Sequence, residues 1–340
     1  MLADDPTDGP EKTPGPVTTR EGLGLAAVIS IAAGLRMLRL EQNGVGNPYY
    51  GASVRSMLAS GSNFFFGAFD PLGFIAVDKP PVALWAQAAG ARVLGYGSFG
   101  LLLPQALMGV ASVVLTWFLV RRAFGAGAGL MAGLALAVTP ICVAMDRSNM
   151  PDTALVLVLL LATWALTRAA ESGRLAPLML AMALVGLAFN VKMLAAFVVL
   201  PSFALAYWLG APAGWRAKLA RLAASGVVLM AVFLSWSIAV ELTPKSRRPY
   251  IGGSKTNSAL ELAVGYNGLA RIVERDGNSP PGAGSPSVAP SNPNPDRSAN
   301  TVPSKEGEAA KKGEVITGAS PPPPVGGPGI GPPPSSPAGQ

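Results

Sequence analysis

The sequence predicts an all-α fold: a polytopic membrane helix bundle of about seven spans, with short helices at the membrane surface in its first outer loop. Half of the 340 residues are hydrophobic and only 13% are charged, whereas soluble domains carry about 25% charged residues. Several apolar runs are also long enough to cross a bilayer. The net charge of +7 rests on too few residues for nucleic-acid binding, so we interpret the basic residues as markers of membrane topology.

The residue inventory excludes several kinds of catalytic site. The chain has no histidine and a single cysteine, Cys142. Histidine acid–base chemistry, histidine metal sites and an intrachain disulfide are therefore excluded. No cofactor or metal is predicted, because a divalent cation would depend on oxygen ligands alone.

The chain is predicted to begin with a disordered cytoplasmic segment, residues 1–20, which is polar and lacks the layout of a signal peptide. Arg36 and Arg39 fall near the end of the first apolar run, where arginine side chains are expected to reach the membrane surface. Seven spans are predicted at approximately 23–40, 100–120, 125–145, 153–169, 175–189, 193–210 and 223–241.

The basic residues of the short turns predict the orientation. They concentrate in alternate turns, at Arg121–Arg122, at Arg168 with Arg174, and at Arg216 with Lys218 and Arg221. The positive-inside rule places these turns and the N-terminus in the cytoplasm. The predicted extracytoplasmic segments are 41–99, 146–152, 190–192 and the chain after Leu242. We interpret 21–271 as the membrane domain and 272–340, rich in Pro, Gly and Ser, as a disordered tail.

The first outer segment contains a predicted interfacial helix at Asn47–Ser60. Tyr50, Val54, Met57 and Leu58 share one face of it at helical spacing. Pro80 is expected to open a second short helix.

Charged residues of three outer segments are candidates for chemistry. They are Asp70, Asp78 and Lys79 in the first segment, Asp146, Arg147 and Asp152 in the second, and Lys192 in the third. If the spans form a bundle, these segments meet at one end, where cations can hold a phosphate and a carboxylate can act as a base towards a hydroxyl. Simpler structural roles are equally open: Asp70 as a turn former, Asp146 and Arg147 as helix caps, Asp78–Lys79 as a solvated pair, and Lys192 as a topology marker.

Four segments carry a resemblance to a known family. They read NGVGNPYYGASVRSMLASGSNFFFGAFDPLGFIAVDKPPVALW, DRSNMPDTAL, GLAFNVKM and GGSKTNSALELAVGYNGLARI. In this order they resemble bacterial glycosyltransferases of family 39, the protein O-mannosyltransferase type, in its mannosyltransferase branch. The lipid A aminoarabinose transferases are more distantly similar. The resemblance covers about residues 24–272.

The resemblance implies a GT-C fold and a membrane glycosyltransferase that moves a hexose, with mannose as the expected sugar, from a polyprenyl-phosphate donor to an extracytoplasmic acceptor. It implies that Asp78 and Lys79 lie by the donor phosphate, that Asp152 with Arg147 matches the acidic position of the second loop, and that Lys192 lies near the lipid phosphate.

Gly46 and Asn47 occupy the place of the Asp-Glu pair that many relatives carry as the base. The candidate catalytic residues are therefore Asp78, Asp70 and Asp152, with Glu41 as a further possible base. The candidate substrate-binding residues are Lys79, Asp146, Arg147, Lys192, Asn47 and Tyr50.

Two other functions are open at this stage. The chain is shorter than its relatives, which allows a catalytically inactive remnant or scaffold that binds lipid or a partner subunit. A small transporter is disfavoured, because its binding site would lie near mid-membrane and the candidate charges here gather at one face.

Overall fold

A computed structural model of the protein describes residues 15–264. The predicted tail, 272–340, and most of the predicted N-terminal segment lie outside these residues. The first helix begins at Thr19, earlier than the predicted span, because Thr18 caps it by accepting a hydrogen bond from the backbone N–H of Glu21.

The described chain is almost entirely helical. The helices are α1 (Thr19–Met37), α2 (Pro48–Met57), α3 (Gly61–Phe66), α4 (Val82–Leu94), α5 (Ser98–Phe124), α6 (Ala126–Val138), α7 (Pro140–Asp146), α8 (Asp152–Ser172), α9 (Leu175–Lys192), α10 (Leu200–Gly210), α11 (Trp215–Leu242) and α12 (Ala259–Val264). Short 3-10 turns lie at Leu40–Asn43, Met193–Val199 and Lys245–Arg247. The strands β1 (Ile75–Ala76) and β2 (Tyr250–Ile251), which the sequence did not predict, pair in parallel.

Within residues 15–264, four helical runs are long and apolar enough to cross a membrane, so the chain is a multi-pass membrane protein. They are α5, α8, α11 and the run Leu175–Gly210, which joins α9 to α10. The pair α6–α7 makes a fifth if its two halves count as one span. The span predicted at 125–145 is bent, because its helices α6 and α7 meet at an angle of 63° where Pro140 follows Thr139.

The predicted count of seven spans is not confirmed. The remaining two candidates are α1, which carries Arg20, Glu21 and Arg36, and α10, which has only 11 residues. Met193, with φ of +49°, ends α9 and starts the 3-10 turn that leads into α10. From there α10 returns along α8, so that a Cβ on Gly210 would contact Ala170.

The basic turns gather at one end of the bundle, here called the arginine-rich end. Arg121 of α5 pairs with Glu21 of α1, and the neighbouring Arg122 pairs with Glu171 of α8. Arg221 of α11 donates to the carbonyl of Gly173 in the α8–α9 turn. These contacts join the ends of four helices, as the pattern of basic residues predicted.

The other end of the bundle, here called the opposite end, carries the first loop and the segment after α11. The backbone N–H of Tyr250 in β2 donates to the carbonyl of Phe74, at 2.8 Å, so residues 243–264 fold back onto the first loop. A core that includes Phe66, Phe189, Trp236 and Ile251 fixes this arrangement. The predicted helix in the first loop is α2, whose Tyr50, Val54 and Met57 are buried.

Candidate active site

Lys79 and Asp78 form the first part of the candidate site. They follow β1 directly, and Pro80 and Pro81 then lead into α4. The Lys79 ammonium donates to both carboxylate oxygens of Asp78, at 2.9 and 3.1 Å, and lies 5.8 Å from the centroid of the Tyr50 ring. Both charged side chains are largely enclosed, with 15% and 19% of their surfaces exposed. The first loop therefore holds a cation, a carboxylate and a phenol together.

Burial and the neighbouring charges shift the pKa values of Tyr50 and Lys79. Burial raises the pKa of the Tyr50 phenol, and the Asp78 and Asp152 carboxylates add to the increase while Lys79 opposes it. Although burial acts to lower it, the pKa of the Lys79 ammonium is raised by Tyr50 and Asp78. Lys79 is consequently held as a cation, which is the state that binds a phosphate.

Asp152 and Lys192 form the second part. Asp152 is the first residue of α8 and Lys192 the last of α9, so each charge has the sign that the adjacent helix dipole favours. Their side chains form an ion pair and remain 33% and 27% exposed. This pair is more accessible than the Asp78–Lys79 pair.

Tyr50 connects the two pairs electrostatically. Tyr50 interacts electrostatically with Lys79, Asp78 and Asp152. Just beneath the charges, Ala83 of α4, Ala154 of α8 and Val191 of α9 pack in a single apolar cluster. We call Tyr50, Asp78, Lys79, Asp152 and Lys192 together the acid–base site; all five were predicted as site residues.

A cleft of about 200 Å³ begins beside Asp152 and is lined mainly by apolar surface of α5, α6, α7 and α8. Asp146 and Thr153 also line it, as do Gly109, Ser112, Ile141 and Met145. The site therefore adjoins a narrow apolar space that leads away from its charges.

Asp146 lies next to this cleft but binds Arg36. The Arg36 guanidinium donates from Nε to Asp146 at 2.7 Å and from Nη1 to the carbonyl of Ala137 at 2.9 Å, and Thr153 donates to the other Asp146 oxygen at 2.8 Å. The prediction that Arg36 reaches the membrane surface is wrong, because its side chain is 0% exposed. Its guanidinium instead satisfies carbonyls that the bend between α6 and α7 leaves without partners.

Arg147 caps the end of α1. Its guanidinium donates to the carbonyls of Leu35, Leu38 and Arg39, at 2.8 to 3.1 Å. The Leu35 carbonyl lies in the last turn of α1, where carbonyls lack intrahelical partners and the helix dipole favours a cation. The structure therefore gives Arg147 the role of a helix cap, the simpler of its two sequence-based interpretations.

Asn47, predicted to bind substrate, connects the first and second outer loops. Its side chain caps α2 by accepting from the N–H of Tyr49, at 2.9 Å. Its backbone exchanges hydrogen bonds with the side chain of Asn149, at 2.6 and 3.0 Å. Gly46 has φ of +72°, and a Cβ there would lie 2.7 Å from the side-chain Oδ1 of Asn149, so an acidic residue does not fit this position.

Asp70, a predicted catalytic residue, organises its own turn. Its carboxylate accepts from the backbone N–H groups of Leu72, Phe74 and Ile75, at 2.9 to 3.0 Å. Although partial desolvation acts against it, these hydrogen bonds hold the pKa of Asp70 below its usual range. A carboxylate of lowered pKa that is already saturated by N–H donors is a poor base, and the structure does not bring Asp70 into the acid–base site.

Two glutamines that support the second outer loop were not singled out from the sequence. Gln87 donates to the carbonyl of Asn149 at 3.1 Å, and Gln105 donates to that of Met150 at 2.6 Å. Both side chains are fully buried. Gln105 stands within a long apolar run, and a polar residue inside a span is the signal that points to such a role.

Among residues 15–264, no three His, Cys, Asp or Glu side chains are grouped closely enough to hold a metal ion.

Known proteins resemble this chain in both sequence and fold. Residues 78–238 match the family described as dolichyl-phosphate-mannose-protein mannosyltransferase. Two Bacillus subtilis proteins, "Putative mannosyltransferase YycA" and "Putative mannosyltransferase YkcB", are 46% identical over 255 residues and 45% identical over 262 residues. The matches cover 75% and 77% of this chain but 37% and 36% of those proteins. The chain thus spans just over a third of the length of these relatives.

A solved structure has the same fold. The crystal structure of ArnT from Cupriavidus metallidurans in the apo state matches with a TM-score of 0.50 at 24% identity, over 65% of this chain and 41% of that one. The described bundle therefore has the GT-C fold, as the sequence predicted.

Proposed function

Since the chain belongs to glycosyltransferase family 39, we propose that it transfers a hexose, mannose being the first choice, from a polyprenyl-phosphate donor to a hydroxyl of an extracytoplasmic acceptor. The observation that supports the proposal is the presence of two lysine–carboxylate pairs at one end of the membrane bundle, drawn from three separate segments and linked electrostatically through Tyr50. The positive-inside rule supports placing the arginine-rich end in the cytoplasm and this site on the outer face.

Lys79 and Lys192 are proposed to bind the donor phosphate. Each ammonium has an ion-pair partner in the free protein, so each is held at the site before the donor arrives. The donor phosphate is a phosphodiester with one negative charge, like a carboxylate, but its two free oxygens can accept hydrogen bonds from both ammonium groups. The apolar cleft beside Asp152 supports an isoprenoid chain as the group attached to that phosphate.

Asp152 is proposed as the base. It is the more exposed carboxylate of the site, with 33% of its side chain accessible against 19% for Asp78, and it opens onto the cleft. Donor binding would draw Lys192 towards the phosphate and leave the Asp152 carboxylate free to accept a proton. Asp78 is proposed to hold Lys79 beside Tyr50, while Asp146, Arg147 and Asn47 hold the outer loops in place.

In the proposed reaction the acceptor hydroxyl gives its proton to Asp152 as its oxygen bonds to the anomeric carbon. The bond from that carbon to the phosphate oxygen breaks, and polyprenyl phosphate leaves with the electron pair. Configuration at the anomeric carbon inverts. Lys79 and Lys192 stabilise the negative charge that develops on the leaving phosphate.

The test is sugar transfer by the purified full chain in liposomes, with polyprenyl-phosphate mannose and polyprenyl-phosphate glucose offered separately. Asp152→Asn is expected to lower kcat by 10²- to 10⁴-fold, the usual contribution of a general base. The matched control is Glu261→Gln, which removes a carboxylate of α12 at the same end of the molecule that accepts hydrogen bonds from Lys255 and Thr256, and it is expected to leave transfer unchanged.

Equal activity in Asp152→Asn and the wild type would refute the assignment of the base. A folded wild-type chain that transfers neither sugar to any hydroxyl acceptor offered would instead favour the catalytically inactive form of the same fold. Supplying a second polypeptide with the remaining part of a longer relative then distinguishes an incomplete enzyme from a scaffold.

A further inference from the structure

A second cavity, unrelated to the acid–base site, lies at the arginine-rich end of the bundle. It has a volume of about 580 Å³, which is within the range of about 300–1,000 Å³ for small-molecule sites. It lies between the last turns of α5 and α8 and the first turn of α9. Its wall includes Arg122, Trp164, Arg168, Glu171, Arg174 and Leu180.

The charges of this cavity are unbalanced. Three arginines face one glutamate, and that glutamate is engaged by Arg122, whose Nε donates to it at 2.9 Å. Arg168 stacks on Trp164 one helical turn earlier, with its guanidinium carbon 5.8 Å from the ring centroid. Within residues 15–264, the side chains of Arg168 and Arg174 make no hydrogen bond or ion pair, so two guanidinium groups are available to an acceptor.

The backbone adds further donors. Arg174 is the N-cap residue of α9 and provides no side-chain cap, so the N–H groups of Leu175 and Ala176, which precede Pro177, receive no acceptor from it. The turn before it is fixed, because Arg221 donates to the carbonyl of Gly173. Ala176, in the first turn of α9, also lines the cavity. An anion placed here would meet both arginines and the positive end of a helix dipole.

The position of the cavity at the end of the membrane helices indicates which class of anion it can bind. Its charged wall is formed by the ends of membrane-spanning helices, which lie at the level of lipid headgroups. Its other wall is apolar, and Leu180 is 45% exposed on the side of α9. A ligand with a phosphate and an attached hydrocarbon chain matches both walls, whereas a free phosphate matches only the first.

We propose that this cavity binds the phosphodiester headgroup of an anionic membrane lipid through Arg168 and Arg174, with the acyl chains passing along Leu180 into the bilayer. Basic pockets between membrane helices are known to hold such headgroups. The site is independent of the proposed glycosyltransferase activity, because it lies at the other end of the bundle and its occupancy is measured without any sugar donor.

The test measures binding to the purified full chain in a neutral detergent. Short-chain phosphatidylglycerol is titrated while Tm is followed by circular dichroism, and phosphatidylcholine with the same chains and glycerol 3-phosphate are titrated in parallel. Phosphatidylglycerol alone is expected to raise Tm and to saturate. Arg168→Gln combined with Arg174→Gln is expected to weaken its apparent Kd by roughly 30-fold, from the contribution of two basic residues near an anionic headgroup.

The matched control combines Arg20→Gln with Arg216→Gln. It removes the same charge from the same end, and Arg216 also stacks on a tryptophan, with its guanidinium carbon 5.2 Å from the Trp215 ring, but neither arginine lines the cavity. This control is expected to bind phosphatidylglycerol like the wild type. Arg168→Lys with Arg174→Lys keeps the charge but loses bidentate bonding, and its Kd is expected to fall between the two.

Three results would overturn the proposal. An unchanged Kd in the Arg168–Arg174 glutamine variant excludes the cavity as the site. An equal loss in the Arg20–Arg216 control shows that general charge attraction accounts for the effect. An equal rise of Tm with glycerol 3-phosphate shows that the site takes a soluble phosphate and not a lipid.

Discussion

The guanidinium Nε of Arg36 lies 2.7 Å from a carboxylate oxygen of Asp146, a residue 110 positions further along the chain. The pair joins α1 to the end of α7, and Thr153 extends it to the first turn of α8. Thr153 is adjacent to Asp152, the proposed base. The buried pair therefore connects the framework of the bundle to one half of the acid–base site.

We predict that Arg36→Met lowers the free energy of unfolding by about 3–5 kcal/mol, because it leaves the Asp146 carboxylate buried without its cation. Denaturation of the purified chain in detergent measures this effect. Arg36→Met combined with Asp146→Leu is expected to recover most of the loss, since both charges are then removed together.

Arg39 provides the comparison for this prediction. It lies three residues after Arg36, but its side chain is exposed. Arg39→Gln is expected to change the free energy of unfolding by no more than about 0.5 kcal/mol. Equal effects of the two arginine substitutions would show that the Arg36–Asp146 pair does not hold the bundle together.

Gly109 of α5 has no side chain, and the Arg36–Asp146 pair occupies the space that a side chain would fill. A Cβ at this position would lie 2.3 Å from the Asp146 carboxylate and 2.9 Å from Arg36 Nε. Gly109→Ala is therefore expected to destabilise the protein by about 1–3 kcal/mol, despite the higher helix propensity of alanine. Gly34→Ala in α1, where the nearest atom would be 3.8 Å away, is expected to stabilise it by up to about 1 kcal/mol. A stability gain from both substitutions would contradict the packing described here.

The hydrogen-bonded carboxylate of Asp70 is expected to make the stability of the protein depend on pH. The pKa of its carboxyl group is lowered in the folded protein, so its contribution is complete above the unfolded pKa of about 3.9 and is lost as the pH falls through the lower folded value. We expect Tm of the wild type to fall more between pH 6 and pH 3 than Tm of Asp70→Asn. Identical pH profiles would show that the three N–H bonds to this carboxylate do not stabilise it.

The sequence allowed the general architecture to be predicted, because its signals are local. Apolar runs marked the spans, and the spacing of Tyr50, Val54 and Met57 marked the buried face of α2. The bend at Pro140 could also have been predicted, since proline disfavours the helical conformation of the residue before it. The pairing of β1 with β2 joins segments about 175 residues apart, and no short-range pattern predicts it.

The sequence allowed the residues of the candidate site to be named, but it did not show which of them form ion pairs with each other. Charges in short loops pointed to Lys79, Asp152 and Lys192, and the structure pairs Lys79 with Asp78 and Lys192 with Asp152. The same reasoning could not separate Asp146 and Arg147 from them, because the partners of these two side chains lie on α1, more than 100 residues away. Burial and tertiary contacts, which a single sequence does not show, decide between a structural and a chemical role.

The two proposed phosphate ligands give a last prediction, based on their different surroundings. Lys79 is held by Asp78 beside Tyr50 and is only 15% exposed, whereas Lys192 is 27% exposed in its pair with Asp152. Lys79→Gln removes a cation whose partners remain in place, so we expect KM for the polyprenyl-phosphate donor to rise and kcat to fall.

Lys192→Gln also removes the ion-pair partner of the proposed base. In the free enzyme this pair fixes the position of the Asp152 carboxylate, so we expect kcat to fall further in Lys192→Gln than in Lys79→Gln. Steady-state kinetics with the polyprenyl-phosphate donor measure kcat and KM for both variants. An equal fall of kcat in the two would show that Lys192 does not position the proposed base.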